Sequence, residues 1–146
     1  MINKKISLIA HDNRKADLCD WVKYNGKILS QNNLVCTGTT GALIKDTLKE
    51  FDNVKIECKN SGPLGGDAEI AAMVVRGEID FCVFLIDDLN PNPHEADIQM
   101  LLRQCRLHNI PVACNRYSAD LMITSPLWGD ESYSPKAATY IEFKRN

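Results

Sequence analysis

The chain has 146 residues, 45% of them hydrophobic and 25% charged, with 17 Lys and Arg against 19 Asp and Glu for a formal charge of −2. Those proportions fit an average soluble globular chain and exclude collagen-like, coiled-coil and disordered classes. A domain of this length buries roughly 70% of its unfolded surface, and so small a net charge argues against a protein devoted to nucleic acid.

Residues 6–10 open the chain as a short apolar run, too short for the core of a secretion signal. A helical pattern follows over residues 14–30, with Ala16, Leu18, Cys19, Val22, Ile28 and Leu29 toward one side and Gly26 weakening the far half. A second apolar run at 34–37 leads into a helical stretch at 41–51, and a third run spans 54–58. Residues 67–75 begin with acids suited to a helix N-terminus and stop at Gly77. The fourth run, 81–86, is the longest, far below the roughly twenty residues a membrane span needs. A helix is expected over 95–108, burying Ile98, Leu101, Leu102 and Cys105, then a short strand at 111–115 and a helix at 118–123. The alternating run at 139–143 reads as an edge strand. Strands apolar on both faces and alternating with helices imply one α/β domain over residues 1–146: about five strands, mainly parallel, flanked by helices in three layers.

The six cysteines include no C-x-x-C pair, so neither a zinc site nor a redox motif is indicated. Cys36, Cys58, Cys82 and Cys114 lie in strand-like apolar runs, where a thiol behaves as a small buried hydrophobe. Reduced thiols and the lack of an export or membrane segment point to a cytoplasmic protein.

In open parallel sheets a ligand binds beyond the carboxyl ends of the strands. The unusual residues of this chain gather in those connections: His11-Asp12-Asn13-Arg14-Lys15, Thr37-Gly38-Thr39-Thr40-Gly41, Ser61-Gly62-Pro63-Leu64-Gly65-Gly66-Asp67, and the loop from Asp87 to Asp97. The threonine turn offers three hydroxyls and unhindered amides at a helix start, which suits a phosphate, and Ser61, Gly62 and Lys15 add to it. An ordinary capped loop explains the same turn. Neither a P-loop nor a G-x-G-x-x-G fingerprint is present, so a small phosphoester fits better than a nucleoside triphosphate. Asp67 stands after two glycines at a helix start, as a reactive carboxylate or as a simple N-cap. His94 and Asp97 lie one helical turn apart, so both can face one pocket; His94 also reads as a surface loop histidine. A His/Asp metal site is a further reading, which the phosphate-like loops disfavour.

Taken together, A-H-D-x-x-K at 10–15, T-G-T-T-G at 37–41, S-G-P-L-G-G-D at 61–67 and D-x-L-N-P-x-P-H-x-x-D at 87–97 resemble methylglyoxal synthases. Asn109-Ile110-Pro111-Val112-Ala113-Cys114-Asn115, Ser118-Ala119-Asp120 and Ser125-Pro126 extend the resemblance, which covers roughly residues 4–126. It implies conversion of dihydroxyacetone phosphate to methylglyoxal and inorganic phosphate without metal or organic cofactor. By the same resemblance Asp67 is the base, His94 the carbonyl partner and Asp97 an assistant in proton relay. His11, Asp12, Lys15, Thr37, Thr39, Thr40, Ser61 and Gly62 bind substrate, the last six holding its phosphate. The family commonly forms homohexamers inhibited by phosphate. Arg103 matches one of its basic positions, and Lys144 or Arg145 is a weaker counterpart in the tail. Asp88 departs from the family by standing where proline is common, and the segment after about Trp128 matches poorly. The alternative class is a non-catalytic anion- or phosphometabolite-sensing domain of the same fold; an isomerase or another lyase acting on sugar phosphates is a third reading.

Overall fold

The computed structural model describes residues 3–133. Its elements are β1 (Lys5–Ala10), α1 (Lys15–Tyr24), α2 (Gly26–Leu29), β2 (Asn33–Thr37), α3 (Thr40–Thr47), β3 (Lys55–Lys59), α4 (Gly66–Val75), β4 (Phe81–Leu85), α5 (Glu95–Leu107), β5 (Val112–Ala113) and α6 (Arg116–Ile123). The five strands form one sheet in the order β3-β2-β1-β4-β5, every neighbouring pair parallel. The α/β fold with a parallel sheet expected from the sequence is therefore present. The run at 139–143, Lys144 and Arg145 lie outside the described residues.

Side chains along a strand alternate between faces, and the core divides accordingly. Ile6, Leu8 and Ala10 of β1 with Phe81, Val83 and Leu85 of β4 pack beneath Leu18, Trp21 and Val22 of α1, Ile44 of α3, and Ala119 and Ile123 of α6. Ile9, Val35, Cys82 and Phe84 face the other way, against Ile70, Ala71, Met73 and Val74 of α4 and Ile98, Leu101 and Cys105 of α5. Each fully buried Leu, Ile or Phe contributes about 1.5–3 kcal/mol of transfer free energy, so the two faces hold the central strands fixed. That rigidity is what positions the loops above them.

Several local expectations change. The helix expected over 14–30 breaks at Asn25, whose amide donates to the Trp21 carbonyl at 3.0 Å and to Asp120 at 3.2 Å, so α1 and α2 are separate. Trp21, absent from the apolar stripe read in the sequence, is a core residue. Two of the cysteines expected inside, Cys58 and Cys114, are exposed, whereas Cys36, Cys82 and Cys105 are buried. The reason is position in the sheet: β3 is an edge strand with no fully buried residue, and Cys114 follows the two-residue edge strand β5. Among the described residues, no helix is long and apolar enough to cross a membrane.

Candidate active site

A cavity of about 640 Å³ opens at the carboxyl end of the sheet, walled by the segments that follow β1, β2, β3 and β4. Of the eleven residues singled out in the sequence, His11, Asp12, Lys15, Thr37, Thr39, Thr40, Ser61, Gly62, Asp67 and His94 line it. Asp97 does not; it sits in the first turn of α5 and acts on the site through its charge on Asp67.

One wall is rich in hydroxyls. Gly38 turns the chain with φ +53°, a left-handed conformation that favours glycine. Its amide lies 3.2 Å from the carbonyls of both Lys59 and Asn60. This turn holds Thr37, Thr39 and Thr40 together at the start of α3. Lys15, in the first turn of α1, donates from Nζ to Thr39 Oγ1 at 2.9 Å and pairs with Asp12 Oδ1 at 2.8 Å. Lys15 holds the exposed Asp12 carboxyl below its usual pKa, first through a hydrogen bond and then through its charge. The ammonium thus sits beside the threonine turn, held between Thr39 and Asp12.

The loop after β3 and the residue before α5 bring an acid and an imidazole into the same cavity. Asp67, near the start of α4, has no solvent exposure, and His94, the residue before α5, is 9% exposed. His94 Nε2 lies 3.1 Å from Asp67 Oδ2. By strict hydrogen-bond alignment both Asp67 oxygens and His94 Nδ1 are buried without a partner. Burial raises the Asp67 pKa; the charge of His94 opposes that shift and the charge of Asp97 adds to it. A buried carboxylate with open lone pairs and a raised pKa is suited to taking a proton at neutral pH.

Gly62 makes this pairing possible. A Cβ there would stand 2.8 Å from His94 Nε2 and 3.2 Å from each Asp67 oxygen. Gly66 serves a different end, since a Cβ on it would meet the Asn60 carbonyl oxygen at 1.9 Å. Between them Gly65 adopts φ +104°, which lets the short turn pass directly into α4. The glycines of this loop thus leave room for His94 at Asp67 and for the Asn60 backbone at the start of α4.

His11 completes the floor. Its Nδ1 accepts the backbone N–H of Asp87 at 2.9 Å, which puts the proton of the neutral ring on Nε2. That Nε2 is buried without a protein partner. Burial and the neighbouring His94 both lower the His11 pKa; the two rings meet edge to face at 5.6 Å. His11 is therefore a neutral donor at pH 7.

Asn13, Asp87 and Asn92, which lie in the connections singled out in the sequence but carry no assigned role there, also line the cavity. Asp87 Oδ2 accepts from Asn13 at 2.9 Å and Asn90 at 2.8 Å, tying the loop after β4 to the turn after β1. The signal for all three is their place in connections at the carboxyl end of the sheet, with Asp87 opening the D-x-L-N-P segment. Asp88, the departure from the family pattern, is exposed and lies outside the cavity lining.

Comparison with known proteins gives a consistent result. A family model described as "MGS-like domain" matches residues 17–114. A methylglyoxal synthase of Treponema socranskii is 65% identical over 142 residues, covering 97% of this chain and 90% of its own. One from Oleidesulfovibrio alaskensis is 43% identical, covering 96% of this chain and 92% of its own. Among solved structures, a methylglyoxal synthase from Elizabethkingia anophelis NUHP1 superposes with a TM-score of 0.85 at 35% identity, covering 99% of this chain and 91% of its own.

Proposed function

The chain belongs to the methylglyoxal synthase family, and on that premise we propose that it is a carbon–oxygen lyase converting dihydroxyacetone phosphate to methylglyoxal and inorganic phosphate. The observation that carries this reading is the buried Asp67–His94 contact opening onto a cavity of hydroxyls and one ammonium.

Asp67 is the base in this scheme. It takes a proton from C3 of the substrate, and the C–H electrons move into a C2–C3 double bond while charge builds on the carbonyl oxygen. His94, with a proton on Nε2, and the neutral His11 Nε2–H are donors for that oxygen. Donors placed before the charge develops lower the barrier, each typically by a factor of roughly 10²–10³. Asp97 keeps the Asp67 proton affinity high and assists the return of protons. Lys15, Thr37, Thr39, Thr40, Ser61 and the Gly62 amide hold the phosphate.

The enediolate then has two exits. Reprotonation at C2 gives an aldose phosphate; loss of the phosphate at C1 gives the enol of methylglyoxal. Elimination requires the C1–O bond to stand out of the enediolate plane so that its antibonding orbital overlaps the π electrons. The threonine turn, packed against the Ser61–Gly66 loop through Gly38 and Thr37, holds the phosphate out of that plane and accepts the leaving dianion. The enol tautomerises to methylglyoxal. These steps balance without a metal or organic cofactor.

The whole chain is read as one domain acting in the cytoplasm as a homo-oligomer, a homohexamer by its kinship, with inorganic phosphate as product and inhibitor. The deciding experiment incubates purified protein with dihydroxyacetone phosphate. It measures inorganic phosphate and methylglyoxal against glyceraldehyde 3-phosphate. Equal release of the first two is expected; accumulation of glyceraldehyde 3-phosphate would make the protein an isomerase, and no turnover would leave a sensing domain. Light scattering of the same sample tests the assembly, and a monomer would refute it.

A further inference from the structure

Cys36 on β2 and Cys58 on β3 are directly paired in the parallel register. Adjacent strands lie about 4.8 Å apart, inside the Cα separation of roughly 4.4–6.8 Å that a disulfide accepts. Their side chains emerge on the same face, because both converge on Gly41. A Cβ at Gly41 would meet Cys58 Sγ at 2.3 Å and the Cβ atoms of Cys36 and Cys58 each at 3.6 Å. Cys36 is buried and Cys58 is exposed. Both sit beside the anion-facing wall: Cys36 precedes Thr37, Cys58 stands three residues before Ser61, and Gly41 follows Thr40 in α3.

We propose that Cys36 and Cys58 are a peroxide-responsive dithiol pair and that closing the bridge weakens the hydroxyl wall's grip on phosphate. The exposed Cys58 sulfur attacks hydrogen peroxide; the O–O bond breaks, the sulfur is oxidised to a sulfenic acid, and one oxygen leaves as water. Cys36 then attacks the sulfenic sulfur, an S–S bond forms, and the second oxygen leaves as water with the Cys36 proton. Two thiols and one peroxide thus give one disulfide and two waters. Burial pushes the Cys36 thiol up to about 12, so this second step is slow and the sulfenic acid persists long enough to be trapped. To reach Cys36, Cys58 Sγ leaves its seat on Gly41, and the contact that supports the threonine turn goes with it.

The effect on substrate rests on the proposed function; the chemistry of the pair does not. The test treats reduced, full-length protein with hydrogen peroxide and digests it with trypsin. The expected product joins residues 28–45 to residues 56–59, and dimedone added early labels Cys58. The KM for dihydroxyacetone phosphate should rise at least threefold and return with dithiothreitol, while Cys58→Ser, exposed and outside the catalytic set, shows neither the link nor the rise. Absence of the linked peptide, or a linked protein with unchanged KM, overturns the proposal. A reduced protein that turns nothing over would refute the enzyme reading alone. In that case the linked peptide and a matching loss of affinity for inorganic phosphate, measured by calorimetry, decide the dithiol.

Discussion

Asp67 concentrates the conflict between stability and chemistry at a single residue. Its folded pKa is raised by burial, so between its unfolded value near 3.9 and the folded value the native state binds more protons than the unfolded one. Stability from this group is complete below the unfolded pKa and is lost as pH rises through the folded pKa. At pH 7 the ionised side chain therefore opposes folding. Asp67→Asn should raise stability at pH 7 by on the order of 1 kcal/mol, about 4 °C in Tm, with the gain vanishing below pH 4. The same variant should lose roughly 10²–10⁴ in kcat with KM changed only a few-fold. Calorimetry across pH and steady-state kinetics check the two halves. In the parent enzyme the acid limb of kcat/KM should fall above the ordinary carboxylate range, since the base must be ionised. The sequence showed that Asp67 followed two glycines, but not that its oxygens are left without partners. The charges that tune this acid come from residues far along the chain, His94 lowering its pKa and Asp97 raising it.

Single elements separate glycines that serve the fold from those that serve the site. A Cβ on Gly66 would collide with the Asn60 backbone oxygen at 1.9 Å, and a backbone cannot step aside cheaply. Gly66→Ala should cost about 1–3 kcal/mol or more, seen as a lower urea midpoint. Gly62 meets only side chains, at 2.8 Å and 3.2 Å. Gly62→Ala should keep the fold within about 1 kcal/mol and lose kcat by about 10² through displacement of His94. Equal kcat losses in the two variants, matched by equal unfolding, would remove the distinction. Elements with a strong pattern were legible from the sequence: α4 and α5 begin and end within a residue of expectation. The break at Asn25 was not, because it depends on Asp120 across the fold. Nor was the exposure of Cys58, since an apolar-looking run says nothing about which strand lies at the edge.

For the whole molecule, the sheet order decides how charge is placed. A net charge of −2 conceals a cavity whose lining Lys15 and three threonines share with Asp67. Lys15→Met should therefore raise KM for dihydroxyacetone phosphate about tenfold or more, as removal of one charged hydrogen bond costs roughly 1.5–3 kcal/mol. Circular dichroism should stay that of the parent. An unchanged KM would remove Lys15 from the phosphate site. The sequence motifs were enough to place four loops at one sheet end, because parallel topology leaves them nowhere else. The linkage of His11 to the Asp87 amide, which fixes the tautomer, required strands β1 and β4 to be neighbours, and no local pattern carries that information.

Strand β3 has one further consequence. It borders the sheet and has no fully buried residue, whereas β4 is buried throughout. Yet β3 runs directly into Ser61, Gly62 and Asp67. The proposed base, Asp67, thus hangs from the border of the sheet, and proteins open first where buried contacts are few. Amide exchange should be fastest at 55–59 and slowest at Phe81–Leu85. In rising urea, turnover should disappear before the fluorescence of Trp21 and Trp128, both packed on the central core, changes. Coincident loss of both would mean that border and centre melt as one unit.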